Sequence, residues 1–493
     1  MKHRAKKAAP GRTGWTTALV LFLVVLTCQA GEVERRINQA LEENAPGKAR
    51  VGIEVVRIAD GRVIYSKNST ESFMPASNQK LVTAAGAMLL LKPDYEFETV
   101  LWGSGSRDTS GGLRGDLKIT GGGDPTIGSP EFAARYPEHR DPFRVWASRL
   151  AATGLRRITG QVVVDGGFFD RLHVHPEWPE EQLWRTYCAP VSALAFQNNC
   201  VQVSVKPGPD AGEPAKVEFS PDVPGLNLRN SCRTHPERHA IWFDRDPSSD
   251  VIQVGGHVLG GSVGYAGYVT VPAPSLFAAR AFALQLRRAG VYLGRPFCRL
   301  NRDADEKSWY RIDSHRTPIK PVLSVMMTES QNFYAEQIVK TIGAENRGEG
   351  SWEEGLGEIS AALREVEVDL RGVELSDGSG MSRGNRLTPR AVCRLLLRMD
   401  EQFGAEFREL LPRPGEGTLH NRLTSSRYRS RVRAKTGYLH SVSALSGYVR
   451  TVDQEAMAFS IMINESDVGN SRMGRLEDAI VRVLVDSRTG SEE

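Results

Sequence analysis

The chain has 493 residues, of which 25% are charged and 40% are apolar, a composition that excludes disordered and collagen-like proteins. Its net charge of +4 comes from residues 1–30, which contain five Lys or Arg side chains and no Asp or Glu. The remaining residues carry 58 basic and 59 acidic side chains, so they have no excess positive charge to neutralise phosphates. We therefore predict no nucleic-acid partner, and at roughly 150 residues per domain the length predicts about three domains.

Residues 1–30 are typical of a secretory signal peptide. The basic segment is followed by the apolar run Ala18–Leu26 and by Thr27–Ala30, which places small residues at the −3 and −1 positions of a cleavage site. The apolar run is shorter than the roughly 20 residues that cross a bilayer. We expect export to the periplasm or another extracytoplasmic compartment, with an uncleaved N-terminal anchor as the alternative.

The cysteines do not form a recognisable metal or redox motif, because none of them belongs to a Cys-x-x-Cys pair. Cleavage of the signal peptide would leave an odd number of cysteines, which cannot all be paired. One or two disulfides are compatible with an exported protein. The five cysteines are Cys188, Cys200, Cys232, Cys298 and Cys393.

The mature chain opens with a helix, a hairpin and a second helix. Val33–Asn44 has apolar residues at helical spacing, and Val51–Val56 is a strand that turns at Asp60-Gly61 into a partner strand, Arg62–Ser66. Ser77–Leu91 is rich in Ala and Leu and predicts a buried helix.

Residues 98–315 change in character, because short strand-like runs alternate there with clusters of Gly, Pro, Asp and Ser. Helices return after residue 318, and two hairpin-like strands, a third strand and an amphipathic helix close the chain. These predicted segments are Val322–Ile342, Trp352–Val366, Thr388–Phe403, Val432–Ala434, Ser443–Val449, Met457–Asn464 and Leu476–Val485. The pattern predicts an α/β frame at both ends of the chain with a β-rich insert between them.

The first candidate motif is Ser77-Asn78-Gln79-Lys80, at the start of a predicted helix. Residues three apart on a helix lie on one face, so the serine hydroxyl and the lysine amine are neighbours. A serine becomes a useful nucleophile when a base accepts its proton, and a lysine can do so when burial depresses its pKa. Taken alone the tetrapeptide is common, and an N-cap serine with a solvated lysine is the default interpretation.

Two further motifs are equally weak evidence for a functional site when each is taken alone. Ser330-Gln331-Asn332 lies inside the apolar stretch Val322–Ile342 and is either a polar break in a helix or a pair of side chains that face a cleft. Lys435-Thr436-Gly437 begins a strand, where Lys and Thr could bind a carboxylate and Gly permits close approach of another backbone. The alternative is an exposed edge strand protected by a charged residue.

In the order Ser-x-x-Lys, Ser-x-Asn and Lys-Thr-Gly, the three motifs resemble the signature set of penicillin-recognising acyl-serine enzymes. The neighbouring residues resemble the low-molecular-mass class C penicillin-binding proteins, the D-Ala-D-Ala carboxypeptidases and endopeptidases often called penicillin-binding protein 4. The likeness extends over about residues 35 to 485, and the 253 positions between Ser77 and Ser330 are too many for the compact β-lactamases. The matching segments are Pro75–Ala85, Gly115–Leu117, Gly122–Thr126, Ala189–Leu194, Asp377–Arg383, Gly415–Leu419 and Ser446–Tyr448.

The resemblance implies acyl transfer without a metal or cofactor. Ser77 would attack the carbonyl of the penultimate D-Ala with Lys80 as the base. Ser330, with Lys435, would pass a proton to the leaving amine, and Asn332 would bind the substrate's peptide backbone.

The same resemblance assigns substrate contacts to the predicted strand. Lys435 and Thr436 would hold the terminal carboxylate, with Gly437 beside them. The backbone N–H groups of Ser77 and Tyr438 would form the oxyanion hole. Peptidoglycan stem peptides are the implied substrate and β-lactams are the implied inhibitors. Formation of a homodimer is left as an open question.

Two positions depart from the family pattern. Tyr438 replaces the usual threonine after Lys-Thr-Gly, and its ring would narrow the cleft. Gln182 stands where the family has an acid that reads the third stem residue, although Glu180 and Glu181 are adjacent. Arg383 is either a substrate contact or an exposed structural arginine.

We predict an α/β penicillin-binding/β-lactamase-like transpeptidase fold, an antiparallel sheet flanked by helices, with nested β-rich inserted domains. A β-lactamase and a non-catalytic cell-wall-binding protein on the same fold are the alternative functions. The predicted boundaries are 1–30 for the signal peptide, 31–97 plus 316–487 for the catalytic domain, 98–175 plus 255–315 for inserted domain II, 176–254 for nested domain III and 488–493 for the tail.

Overall fold

The computed structural model describes residues 31–44, 47–139, 141–247, 249–295, 299–301 and 308–488. The predicted signal peptide, Cys298 and the last five residues lie outside this described part. Among the described residues, no helix combines the length and apolar character needed to cross a membrane. The predicted domain boundaries stay a prediction.

The helices begin where capping residues and prolines favour them. The hydroxyl of Thr388 accepts a hydrogen bond from the Ala391 N–H, and Pro389 occupies the first helical position, where its missing N–H costs nothing. The α-helices are α1 (31–43), α2 (Gln79–Gly86), α3 (Pro130–Arg135), α4 (Pro142–Ala152), α5 (Pro274–Arg288), α6 (Ile319–Thr328), α7 (Asn332–Arg347), α8 (Trp352–Glu365), α9 (Pro389–Phe403), α10 (Ala405–Arg408), α11 (Ser426–Arg429) and α12 (Asn470–Asp486).

The strands of the two chain ends are longer than most strands of the middle. They are β1 (Arg50–Arg57), β2 (Val63–Lys67), β3 (Glu96–Ser104), β4 (Ser106–Arg107), β5 (Gly112–Arg114), β6 (Leu117–Thr120), β7 (Arg157–Ile158), β8 (Val162–Asp165), β9 (Cys200–Lys206), β10 (Lys216–Ser220), β11 (Asn227–Asn230), β12 (Arg233–His235), β13 (Ala240–Arg245), β14 (Val251–Leu259), β15 (Tyr265–Thr270), β16 (Tyr292–Leu293), β17 (Arg299–Asn301), β18 (Trp309–Pro318), β19 (Val432–Leu439), β20 (Val442–Arg450) and β21 (Ala456–Asn464).

The principal sheet joins both ends of the chain in the order β19-β20-β21-β1-β2, and every neighbouring pair is antiparallel. Successive side chains of β21 point to opposite faces. Phe459 and Ile461 pack with Leu476 of α12, whereas Ala458 and Met462 belong to the core that contains α2 and α9. The sheet is therefore covered on both faces. The strand order makes β19 an edge strand, and it lies beside the 3-10 turn Ala76–Asn78 that precedes α2.

The described residues in the middle of the chain form four further sheets. One is a five-stranded sheet in the order β17-β8-β6-β3-β18, which leads directly into α6. The other three have the orders β16-β7-β5-β4, β10-β9-β15 and β11-β14-β12, with β13 also paired to β14. The β-rich character predicted for residues 98–315 is confirmed.

The predicted single helix over Val322–Ile342 is wrong, because the chain forms two helices, α6 and α7, around a break. Ser330 lies in the break with a φ of +58°, a left-handed conformation that cannot continue an α-helix. The polar residues interrupt the apolar run, so the predicted polar break is confirmed. The break also presents the side chains of Ser330 and Asn332 to Lys435 and Lys80.

The four described cysteines are free thiols, and all are buried. The sequence-based allowance for disulfides among Cys188, Cys200, Cys232 and Cys393 is therefore wrong for these residues. Burial raises the pKa of Cys188 to about 12, so this thiol stays protonated and packs as a small apolar side chain.

Asp124 caps a turn after β6. Its carboxylate accepts hydrogen bonds from the Thr126 N–H at 2.8 Å and from the Thr126 hydroxyl at 2.7 Å. The Thr317 hydroxyl at the end of β18 donates to the other oxygen at 2.7 Å. This fully buried carboxylate therefore ties the loop after β6 to the entrance of α6.

We expect the substitution Asp124→Ala to lower the thermal unfolding midpoint without abolishing catalysis. Loss of the acceptor leaves buried hydroxyl and N–H groups unpaired, a penalty of about 1–3 kcal/mol. Calorimetry should detect this loss, and the exposed Asp222→Ala is the matched control. A folded Asp124→Ala enzyme with no turnover would contradict the structural role.

Candidate active site

The serine of the first motif stands at the start of the helix that leads into α2. A single 3-10 turn, Ala76–Asn78, precedes α2 and presents Ser77 half-buried between the core and the surface. Ala76 has a φ of +46°, an uncommon conformation for a residue with a side chain. Backbone strain of this kind costs of order 1–3 kcal/mol and concentrates at functional sites.

Lys80 is fully buried one turn further along and contacts three oxygen atoms. Its Nζ lies 3.0 Å from Ser77 Oγ, 2.7 Å from Asn332 Oδ1 and 2.9 Å from the carbonyl oxygen of Ser379. The carboxamide of Asn332 is oriented by its other end, because its Nδ2 donates to the Tyr187 carbonyl at 3.0 Å. Two of the three oxygens around the amine can therefore only accept hydrogen bonds from it.

This arrangement fixes the direction of the third hydrogen bond when the amine is neutral. A neutral lysine has two N–H groups and one lone pair. The two N–H groups are used by Asn332 and Ser379, so the lone pair is left for the hydroxyl of Ser77. The neutral amine is thus placed to accept the serine proton.

Burial favours that neutral form. It lowers the pKa of Lys80 to about 7, although the carboxylates of Glu336 and Asp377 oppose the shift. None of the three contacting atoms belongs to a carboxylate, so no direct ion pair compensates the loss of hydration.

Glu336 of α7 organises the loop that supplies the Ser379 carbonyl. Its carboxylate accepts hydrogen bonds from the Gly378 and Ser379 N–H groups at 2.9 and 2.8 Å and from Trp352 Nε1 at 2.8 Å. Burial, with the neighbouring Asp377, raises the pKa of Glu336 to about 7. The acid therefore positions a neutral acceptor for Lys80 instead of touching the amine.

Ser330 and Lys435 form a second pair of side chains. The Lys435 Nζ donates to Ser330 Oγ at 2.8 Å and to the Thr436 carbonyl at 2.9 Å. Burial lowers the pKa of Lys435 well below its ordinary value, and the nearby charge of Lys80 lowers it further. Because Ser330 Oγ accepts a hydrogen bond from Lys435, its own hydroxyl hydrogen is left for another acceptor.

Strand β19 and the serine turn are in contact. A Cβ atom at Gly437 would lie 2.7 Å from the Pro75 carbonyl oxygen and 3.0 Å from the Ser77 nitrogen, so only glycine allows this approach. Asn78 Nδ2 also donates to the Lys435 carbonyl at 3.1 Å. The three predicted motifs therefore converge on one site.

The two remaining residues of the strand differ in exposure. Thr436 is buried beside Lys435, whereas the ring of Tyr438 is 38% exposed. The hydroxyl of Tyr438 accepts a hydrogen bond from Arg422. The bulkier residue is thus accommodated at the edge of the sheet and held there by an arginine.

Arg383 is exposed on the loop that follows Asp377. The loop is fixed beneath it, because Ser382 N–H donates to Asp377 at 2.6 Å and the Ser382 hydroxyl bonds to Glu177. Gln182 is linked to the site through Tyr187: its Oε1 accepts a hydrogen bond from the Tyr187 hydroxyl at 3.0 Å, and the Tyr187 carbonyl accepts one from Asn332.

Sequence reasoning missed Glu336, Asn78 and the Tyr187 carbonyl as parts of the site. Glu336 had a detectable signal, since it is an acid four residues after Asn332 on the same predicted helix and must share its face. The Tyr187 carbonyl had none, because a backbone group leaves no trace in residue identity.

Comparisons with known proteins identify the family of this chain. Residues 33–486 match the family described as D-Ala-D-Ala carboxypeptidase 3 (S13). A D-alanyl-D-alanine carboxypeptidase of Actinomadura sp. (strain R39) is 33% identical over 453 residues, which cover 88% of this chain and 81% of that relative. The D-alanyl-D-alanine carboxypeptidase DacB of Haemophilus influenzae is 23% identical, with coverage of 92% and 94% respectively.

The crystal structure of penicillin binding protein 4 (dacB) from Haemophilus influenzae superposes with a TM-score of 0.77 at 22% identity. The superposed region covers 91% of this chain and 99% of the Haemophilus influenzae chain. This similarity confirms the predicted fold class. The sequence matches show that the chain belongs to the D-Ala-D-Ala carboxypeptidase 3 (S13) family, and we conclude that it is a serine-type D-Ala-D-Ala carboxypeptidase.

Proposed function

We propose that Ser77 and Lys80 carry out acyl transfer on the D-Ala-D-Ala end of peptidoglycan stem peptides. The contact between the two side chains, with the Lys80 lone pair reserved for the serine hydroxyl, is the observation that supports this assignment most. As Ser77 Oγ bonds to the carbonyl carbon of the penultimate D-Ala, its proton moves to Lys80 Nζ. The carbonyl oxygen becomes an oxyanion within reach of the backbone N–H groups of Ser77 and Tyr438.

Collapse of this intermediate breaks the peptide bond and releases terminal D-Ala. The leaving amine takes a proton from the Ser330 hydroxyl, which recovers one from Lys435 at 2.8 Å. The proton that Lys80 took from Ser77 passes through water to Lys435, which restores the neutral amine of Lys80. Water then attacks the acyl-serine as Lys80 accepts its proton. Lys80 returns that proton to Ser77 Oγ as the ester bond breaks, which frees the shortened stem peptide.

Substrate contacts come from the opposite walls of the cleft. Lys435 and Thr436 would hold the terminal carboxylate, Gly437 gives the backbone room beside Ser77, and Asn332 would bind the stem peptide. Arg383 would contact the substrate from the exposed loop.

The same chemistry makes β-lactams inhibitors, because ring opening at Ser77 gives an acyl-enzyme. Penicillin binding protein 4 from Haemophilus influenzae has a structure complexed with a β-lactam. We further propose that the protein works outside the cytoplasm, that it also cleaves D-Ala cross-links, and that export depends on residues 1–30. A homodimer stays a prediction.

Fluorescent penicillin should label the native protein covalently, and Ser77→Ala should abolish the label because it removes the only atom that forms the acyl bond. Ser351→Ala, which removes the N-cap hydroxyl of α8, is the matched control and should be labelled normally. Mass spectrometry of the intact protein measures the adduct. An unlabelled native protein, or a labelled Ser77→Ala variant, would contradict the assignment.

Defined muropeptides should distinguish the two hydrolytic activities. Pentapeptide monomers should lose one D-Ala, and cross-linked dimers should separate into monomers, both read by mass analysis. Rapid hydrolysis of penicillin by the protein, with neither muropeptide changed, would support the β-lactamase alternative.

The rate of penicillin acylation should rise with pH and be half-maximal near pH 7. Only neutral Lys80 can accept the proton, and burial lowers the pKa of Lys80 to about 7, so the active fraction grows as pH passes this value. Lys80→Arg should reduce the rate by about 10²–10⁴-fold, the usual contribution of a general base, since arginine stays protonated. Lys92→Arg, at the exposed end of the same helical segment, is the control. A rate independent of pH between 5.5 and 8.5 would exclude this role.

A further inference from the structure

A buried arginine connects the cleft edge to the last helix. Arg422 donates to the hydroxyl of Tyr438, to Glu477 Oε2 at 2.9 Å and to Asp478 Oδ1 at 2.7 Å, and its Nη2 lies 3.3 Å from the Gly474 carbonyl oxygen. The side chain of Arg422 is only 14% exposed and that of Glu477 is fully buried. One guanidinium therefore holds the tyrosine against α12 through several charge-assisted hydrogen bonds.

The same cluster holds the strand next to Tyr438. Ser443 of β20 is the cross-strand partner of Tyr438 in the register of the hairpin. Its hydroxyl donates to the other oxygen of Glu477 at 2.5 Å. Both members of this cross-strand pair are thus attached to one buried group of charges, which fixes the end of the β19–β20 hairpin.

The segment that carries Arg422 also reaches the opposite wall of the cleft. Gly417 lies so close to Thr328 that a Cβ atom would be 2.1 Å from the Thr328 carbonyl oxygen, two residues before Ser330. The Ala434 N–H of β19 donates to the Pro412 carbonyl at 3.1 Å. Residues 412–422 therefore contact both the strand and the end of α6.

The Tyr438 hydroxyl is an acceptor for the arginine and stays neutral. Burial, together with the nearby carboxylate of Glu477, raises the pKa of Tyr438 to about 12. A hydrogen bond from a charged donor is roughly twice as strong as one between neutral groups. It restrains a residue whose own N–H group belongs to the proposed oxyanion hole.

We propose that Arg422 is a positioning residue, which acts through the Tyr438 hydroxyl to hold the Tyr438 N–H at the place where the oxyanion develops. This role rests on the proposed function of Ser77. It explains how tyrosine replaces the usual threonine after Lys-Thr-Gly, because the longer side chain reaches a charged anchor behind the strand. Displacements of about 1 Å in such a site can cost 10²-fold in rate.

The test uses Tyr438→Phe, which removes one oxygen atom and keeps the ring. Removing an oxyanion donor lowers kcat by about 10²–10³-fold. Loosening one donor should therefore lower kcat by less, about tenfold, while KM stays within about twofold of the wild-type value. A boronic acid analogue of D-alanine forms a tetrahedral adduct with serine, and its affinity should fall by the same factor as kcat. Tyr448→Phe is the matched control, because its hydroxyl donates to the Leu396 carbonyl at 2.8 Å and lies outside the cluster.

Ser443→Ala provides a second variant and should lower kcat in the same direction. Arg422→Lys keeps the charge but loses the planar fork. Its kcat should lie between the kcat values of the wild type and of Tyr438→Phe only if charge alone holds the tyrosine. A Tyr438→Phe enzyme with unchanged kcat, or one whose change lies in KM alone, would overturn the positioning role. An equal loss of kcat and of boronic acid affinity in Tyr448→Phe would also overturn the positioning role.

The two proposals fail in different ways. If the wild type releases no D-Ala and forms no penicillin adduct, the proposed function fails. If the wild type is active and Tyr438→Phe matches it in kcat and in boronic acid affinity, only the role of Arg422 fails.

Discussion

The chemistry of this protein depends on a lysine amine that is buried without a carboxylate in direct contact. Transferring a charged ammonium out of water is costly unless a counter-ion pairs with it. Lys80 instead meets an amide oxygen, a backbone carbonyl and the Ser77 hydroxyl. The surroundings therefore favour the neutral amine, and the only unassigned hydrogen-bonding direction of that amine faces the nucleophile.

The rest of the fold serves to bring these acceptors together. Asn332 begins α7, and Glu336 one turn later fixes the Ser379 carbonyl through the loop it binds. Strand β19 can reach the serine turn because Gly437 has no Cβ, and the strand is an edge of a sheet buried on both faces. The apolar core is thus the frame that holds three polar segments in mutual contact.

Much of the fold and most of the site could be predicted from sequence. The spacing of the motifs and the helical and strand periodicities gave the terminal frame, the β-rich middle and the residues that meet in the cleft. The break at Ser330 was harder to predict, since a single left-handed residue within an apolar run changes one helix into two without altering the periodicity.

Other features had no local signal. Free, buried cysteines cannot be distinguished from paired ones by spacing. The contact of Arg422 with Tyr438 joins residues that are near in sequence, yet it depends on Glu477 and Asp478 of α12, which only the tertiary fold brings to the same place. Sequence patterns identify the groups that react, whereas the groups that position them emerge from packing.

The protonation state of Lys80 tests the account most directly. NMR spectroscopy of protein labelled with ¹³C at lysine Cε would follow the titration of each amine, with Lys80→Arg to assign the signal. We expect the Lys80 resonance, the one that is absent from the spectrum of that variant, to titrate near pH 7. A Lys80 resonance that titrates near pH 10.5, as an exposed lysine does, would contradict the neutral base on which the mechanism rests.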